Sequence, residues 1–165
     1  MILLHTRATH MCSSFRYRPF FDSSDLGPAD WVRLAQDIRV NYLHFDGFVV
    51  LMGTDTMAYC ATALSFLLEN LGKPVVFTGG QIPLCESYND ARRNLIMAAI
   101  FASRDTINEV TIFFHDRLLR ACRTTKINTN SLLAFDSYLA TSQRITSSSF
   151  SSRHAPFDIE TCSRL

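Results

Sequence analysis

The sequence predicts an α/β fold built on a parallel sheet, and three observations support this prediction. Continuous apolar runs recur at 48–52, 74–78 and 110–114. Such runs are typical of strands buried on both faces, as in parallel sheets. Segments with helical spacing lie between them, and short turns join the elements. This alternation predicts a right-handed parallel sheet of flavodoxin-like or Rossmann-like type with helices on both faces.

The first helix is predicted over residues 28–42, where apolar residues recur at helical spacing. Pro28 suits a position in the first helical turn. Ser24 and Asp25 lie just upstream and are candidate N-caps.

Two further helices are predicted, one from Met57 to Leu71 and one over residues 89–103. The first is rich in Ala, Leu and Phe, and Gly72 marks its end. The second has its apolar residues on one side.

The two ends of the chain lack a clear period. Residues 1–18 mix serine, arginine and histidine, and we expect an irregular segment there. Residues 137–153 contain seven serines, which favours a loosely structured tail over residues 137–165. The α/β domain is therefore predicted over residues 19–136.

Composition excludes several classes of protein. The formal charge is +1, from 16 basic and 15 acidic residues, so charge gives no reason to expect nucleic acid or an anionic membrane as a partner. No apolar run approaches the roughly 18–20 residues that cross a bilayer, and the apolar start Met1–Leu4 is shorter than a signal-peptide core. We therefore expect a cytoplasmic protein. The five cysteines are scattered and form no CxxC pair, so neither a disulfide framework nor a metal site is predicted.

Three segments follow the predicted strands and should meet at the carboxyl edge of the sheet, where α/β proteins bind ligands. Thr54 and Asp55 follow the first strand and offer a hydroxyl nucleophile and a carboxylate. Lys126, if it returns to this edge, can deprotonate the hydroxyl. Threonine and aspartate are also common N-caps, and spacing alone favours capping of the helix that begins at Met57 by Thr54 or Asp55.

Two other chemistries have weaker support. The glycines of Thr78-Gly79-Gly80 could suggest a phosphate loop. The sequence contains neither GxGxxG nor GxxxxGK[ST], so a phosphate loop is not predicted. The segment 115–117 (His-Asp-Arg) fits a solvated turn better than a metal site, because no third ligand is evident.

Several longer motifs resemble the type I (cytoplasmic) L-asparaginases over residues 19–136. They are Asp22-Ser23-Ser24 with Asp30-Trp31, the stretch DGFVVLMGTDTMAY at 46–59, LSFLLENLGKPVVFTG at 64–79, QIPL at 81–84, Asn108-Glu109-Val110, and RTTK at 123–126.

The resemblance implies hydrolysis of the side-chain amide of L-asparagine to L-aspartate and ammonia, without cofactor or metal. Thr54, Asp55 and Lys126 match the family's second threonine, its aspartate and its lysine. Asp55 should also bind the substrate's α-ammonium group, while Asp22, Ser23 and Ser24 match the loop that holds the α-carboxylate end. Members of the family form dimers or tetramers, so a homo-oligomer is implied as well.

The chain departs from the family pattern at both ends. The family's first strand, which carries the acylating threonine, has no match upstream of Asp22, and the smaller C-terminal domain has no match after residue 137. We therefore expect a sheet that is incomplete at the N-terminus and little asparaginase activity. A non-catalytic amino-acid-binding relative, or a fragment that associates with an intact homologue, remains the alternative.

Overall fold

The computed structural model describes residues 1–6, 13–17, 22–104 and 107–137. The helices within these ranges are α1 (Pro28–Asn41), α2 (Met57–Leu67) and α3 (Ala91–Ala102), with 3-10 turns at Ser23–Asp25 and Ala121–Arg123. The strands are β1 (Ile2–Thr6), β2 (Ser13–Arg16), β3 (Gly47–Leu51), β4 (Val75–Thr78), β5 (Val110–Phe114), β6 (Arg117–Arg120), β7 (Thr124–Lys126) and β8 (Phe135–Ser137).

Six strands form one sheet in the order β2-β1-β3-β4-β5-β6. Its centre, β3-β4-β5, is parallel and almost completely buried, which confirms the α/β fold predicted from the apolar runs. The flanking pairs are antiparallel, because β1 runs against β3 and β6 runs against β5. The sheet is therefore mixed, with a parallel core.

The helices lie on both faces of the sheet, as predicted. On one face, Ile38 of α1 and Leu64 of α2 pack in the same cluster as Phe77 of β4. On the other face, Ala98 and Ala102 of α3 pack in a cluster with Val76 of β4. Successive residues of a strand point to opposite faces, so both faces of β4 are covered.

The sequence predicts an irregular segment over residues 1–18, but the described part of this range contains β1 and β2, which pair antiparallel. β1 pairs with β3 along its whole length, and Leu3 is fully buried on the α1 and α2 face. The apolar run Ile2-Leu3-Leu4 is too short to indicate a strand by itself, and β1 is stabilised by β3, which lies far along the chain. The side of β3 away from β4 is therefore covered.

The ends of the helices differ from the prediction in two places. α1 begins at Pro28, but its N-cap is Gly27, whose amide donates to the Asp30 carboxylate at 3.0 Å. Ser24 and Asp25, which the sequence suggested as caps, lie in the preceding 3-10 turn instead. α2 ends four residues before the predicted Leu71, because the chain turns through Asn70, which has a left-handed φ of 53°.

Candidate active site

Lys126, the last residue of β7, brings Thr54 and Asp55 together. Its Nζ lies 2.8 Å from Thr54 Oγ1 and 2.7 Å from Asp55 Oδ1. Thr54 and Asp55 follow β3, whereas Lys126 lies 72 residues after Thr54. The structure thus places Lys126 at the carboxyl edge of the sheet, where the sequence required it to be. The three predicted catalytic residues form one hydrogen-bonded group.

Thr54 and Asp55 do not cap α2. The N-cap of this helix is Thr56, and no side chain caps it. The Thr56 hydroxyl donates instead to the carbonyl oxygen of Ser23, in the loop before α1. The capping interpretation that spacing alone favoured is therefore wrong, and the side chains at 54 and 55 are available for other contacts.

The loop 22–24 contacts Asp55 through Ser23, which is buried. Ser23 Oγ lies 3.2 Å from Asp55 Oδ2 and 3.4 Å from Asp22 Oδ1. Ser24 is exposed and joins the loop through its amide, which donates to Asp22 Oδ1 at 3.3 Å. Ser23 therefore meets Asp55 directly, whereas Asp22 and Ser24 flank this contact.

The charge on Asp55 is stabilised by its neighbours. Lys126 lowers the pKa of the Asp55 carboxyl from its usual value, first by its hydrogen bond and then by its charge, and the hydrogen bond from Ser23 lowers it further. Burial acts in the opposite direction, but 58% of the Asp55 side chain is exposed, against 15% of Lys126. At neutral pH Asp55 is an accessible carboxylate beside a largely buried lysine.

Gln81, which follows β4, adds a contact that the sequence did not predict. Its Oε1 accepts a hydrogen bond from Thr54 Oγ1 at 3.3 Å. Its Nε2 donates to the carbonyl oxygens of Thr129 at 2.9 Å and Ser131 at 3.1 Å. Gln81 therefore joins the Thr54 hydroxyl to the loop that follows Lys126.

The backbone at Gln81 is held by Asp90, at the start of α3. The amides of Gln81 and Ile82 both donate to the Asp90 carboxylate, at 3.1 and 2.9 Å. Asn94, which is buried, donates to Asp90 Oδ2 and to the Gly79 carbonyl oxygen. These contacts hold the turn after β4 against α3, and they therefore fix the backbone of Gln81.

A pocket of about 540 Å³ opens beside this group. Asp55 and Lys126 contribute charged atoms to its wall, and polar residues of the loop after β7 supply much of the rest. A small amino acid fits a cavity of this size. The lining residues are Asp55, Tyr59, Thr125, Lys126, Ile127, Asn128 and Thr129.

The segment 115–117 takes no part in this group. His115 and Asp116 form the two-residue turn between β5 and β6, with φ of 46° and 60°. Two positive φ values are what a tight hairpin turn requires. The solvated turn predicted for this segment agrees with its place in the structure. In the part of the chain that the structure describes, no cluster of three or more His, Cys, Asp or Glu side chains is arranged for a metal ion.

Comparisons with known proteins identify the family of the chain. The family described as Asparaginase, N-terminal, matches residues 5–155. L-asparaginase 1 of Escherichia coli strain K12 is 55% identical over 121 residues, which are 73% of this chain and 36% of that protein. L-asparaginase of Dirofilaria immitis is 47% identical over 135 residues, which are 82% of this chain and 23% of that protein.

The fold has a counterpart among solved structures. The crystal structure of L-asparaginase I from Vibrio cholerae matches with a TM-score of 0.70 and 53% identity, over 74% of this chain and 37% of that one. The chain spans about a third or less of the length of these relatives. The family match, the identity of the relatives and the shared α/β fold lead to one conclusion: this chain belongs to the asparaginase family and corresponds to its N-terminal domain.

Proposed function

We propose that the Thr54–Asp55–Lys126 group takes part in the hydrolysis of L-asparagine to L-aspartate and ammonia. The observation that carries the proposal is the position of Lys126 Nζ, within 2.8 Å of a hydroxyl and of a carboxylate. A hydroxyl next to a lysine is a recurring arrangement for attack on a carbonyl carbon. Membership of the asparaginase family supports an amidohydrolase.

In the proposed reaction, water adds to the side-chain carbonyl carbon of asparagine, and the carbon–nitrogen bond breaks. The nitrogen leaves as ammonia after it has taken up a proton. Thr54 and Lys126 are close enough to pass a proton between them, since their polar atoms are 2.8 Å apart. No metal or cofactor is needed for this chemistry, because the lysine and the hydroxyl supply the base and the proton donor.

Substrate recognition in the proposal depends on charge. Asp55 remains a carboxylate at neutral pH and is more than half exposed, so it can bind the α-ammonium group of an amino acid. The hydroxyl of Ser23 and the amide of Ser24 are hydrogen-bond donors on the neighbouring loop, where they contact Asp55 and Asp22 and would turn to a bound carboxylate. We assign the α-carboxylate end of the substrate to this loop, formed by residues 22–24.

A second candidate function is amino-acid binding without turnover. The Thr54 hydroxyl donates a hydrogen bond to Gln81 Oε1, while Lys126 Nζ donates one to Thr54 Oγ1. In this arrangement Lys126 does not receive the Thr54 proton. The binding residues Asp55 and Ser23 do not depend on that proton, so this observation favours a site that retains a ligand without hydrolysing it.

The test is ammonia release from L-asparagine by the purified 165-residue chain, compared with Thr54→Val. A matched control is Thr111→Val, which removes a buried hydroxyl that has no hydrogen-bond partner within the described residues. If the Thr54–Asp55–Lys126 group suffices for hydrolysis without the family's acylating threonine, turnover is present in the parent and in Thr111→Val and is lost in Thr54→Val. Without turnover, calorimetric binding of L-aspartate that is lost in Asp55→Asn supports the second candidate. A folded chain that shows neither turnover nor binding contradicts both.

A further inference from the structure

Gln81 is the residue that decides where the Thr54 proton points. Gln81 Nε2 faces two backbone carbonyl oxygens, those of Thr129 and Ser131, at 2.9 and 3.1 Å. A carbonyl oxygen only accepts hydrogen bonds, so the nitrogen of the amide must lie on that side. The oxygen of the amide must therefore face Thr54.

Gln81 and Lys126 together then allow the Thr54 hydroxyl only one hydrogen-bonding arrangement. Gln81 Oε1 can only accept, so the hydroxyl donates its single proton there, at 3.3 Å. Lys126 Nζ donates to the hydroxyl oxygen at 2.8 Å, so it occupies one lone pair of that oxygen. One lone pair remains, and it can accept a hydrogen bond from a water molecule or a substrate.

We infer that Gln81 is a positioning residue that holds the Thr54 hydroxyl in this orientation. Its own position is secured at both ends, since Asp90 holds its backbone amide and the carbonyls of Thr129 and Ser131 hold its side-chain nitrogen. Thr54 is only 8% exposed, so bulk water does not readily replace Gln81 as its acceptor. Without Gln81, the hydroxyl turns its proton elsewhere and its side chain samples other rotamers.

The orientation of Thr54 does not depend on the proposed function, but its consequence for catalysis does. If the chain hydrolyses asparagine, the Thr54 proton must leave Gln81 for Lys126, so loss of Gln81 changes kcat by about tenfold, the size expected for one oriented hydrogen bond. KM stays within about twofold, because Gln81 acts through Thr54 and makes no part of the Asp55 and Ser23 contacts.

Two variants of Gln81 distinguish its contact with Thr54 from its contacts with the loop at Thr129 and Ser131. Gln81→Met has a similar shape and no hydrogen bonds. Gln81→Glu keeps an oxygen that accepts from Thr54 but loses the donor to Thr129 and Ser131. Gln36→Met on the exposed side of α1 is the matched control. Gln81→Ala replaces Gln81→Met if the latter fails to fold by circular dichroism.

The measurement is the χ1 rotamer of Thr54 in the full chain, from three-bond couplings to its 13C-labelled methyl group. We expect a single rotamer in the parent, in Gln36→Met and in Gln81→Glu, and rotamer averaging in Gln81→Met. The amide signals of 128–131 should shift in both Gln81 variants. A single unchanged rotamer in Gln81→Met overturns the inference, whatever the chain does to asparagine. Where turnover is present, averaging with an unchanged kcat overturns the catalytic consequence alone.

Discussion

Gly53 and Ser23 are in direct contact, and a Cβ atom built on Gly53 would lie 2.5 Å from Ser23 Oγ. Position 53 precedes Thr54 and Asp55, the pair proposed to be catalytic, and Ser23 donates to Asp55. The absence of a side chain at 53 is therefore what allows the loop before α1 to reach the carboxyl edge of the sheet.

Gly53→Ala should push Ser23 away from Asp55. We expect the free energy of unfolding to fall by about 1–3 kcal/mol, since overpacking of a fixed site costs this much. The measurement is denaturant unfolding, with Gly27→Ala as control because nothing lies within 4 Å of a Cβ at position 27. In Gly27→Ala the free energy of unfolding should fall only by the preference for glycine over alanine at an N-cap. Equal losses in the two variants would contradict the contact.

Lys126→Met should raise the pKa of the Asp55 carboxyl toward its usual 3.8, because Lys126 is the main cause of its lowering. A carboxyl with a lowered folded pKa adds stability above its ordinary pKa, and that stability is lost as pH falls through the folded value. The parent should therefore lose the stability that the Asp55 carboxylate contributes as pH falls below 3.8. In Lys126→Met this contribution, and hence its loss at low pH, should be smaller. Carboxyl 13C shifts of Asp55 during a pH titration measure the change. Arg93→Met, which breaks an exposed ion pair with Asp116, should leave the Asp55 titration unchanged.

Cys60 should resist thiol reagents in the folded chain, whereas Cys85 and Cys122 should react. Cys60 is fully buried, and burial, with a smaller effect of the Asp30 charge, raises its pKa to about 12. Cys85 and Cys122 are exposed. Alkylation followed by peptide mass spectrometry distinguishes the three sites, and modification of Cys60 should begin only in denaturant. Labelling of Cys60 at the same rate as Cys85 would mean that α2 is not packed as described.

Tyr17→Phe should lower the free energy of unfolding by about 1–2 kcal/mol, since it leaves a partly buried carboxylate without its partner. The Tyr17 hydroxyl donates to Asp37 Oδ2 at 2.6 Å, and its amide donates to the Met1 carbonyl oxygen. Burial and Asp37 also raise the pKa of Tyr17, so this hydroxyl stays protonated. Tyr88→Phe is the control, because Tyr88 is 74% exposed. A melt that is unchanged in Tyr17→Phe would show that the N-terminal hairpin is not anchored on α1.

The parallel core could be predicted because its signals are local. Each of β3, β4 and β5 is a continuous apolar run, and each appears within a residue of its predicted bounds. The grouping of Thr54, Asp55 and Lys126 followed from the rule that strand ends converge, together with the motifs around them.

What could not be predicted depends on partners that are distant in sequence. β1 becomes a strand because β3 offers it a row of hydrogen-bonding groups. Gln81 lies in the motif QIPL, but nothing in that motif predicts its contacts with Thr54, Thr129 and Ser131, which exist only after the sheet has formed. Capping by Thr54 or Asp55 was a reasonable local choice, and contacts from Lys126 and Ser23 override it.

The pairing of β1 with β3 has a consequence for how the chain is made. β1 and β2 emerge from the ribosome well before β3, the other partner of β1, because Thr6 pairs with Gly47 and Ile2 with Leu51. Until then β1 can pair only with β2, and the long loop between β2 and β3 must close before β1 docks on the parallel core. Native-state hydrogen exchange should accordingly find β1 amides opening before those of β4 and β5, because the pairing of β1 with β3 closes the longer loop.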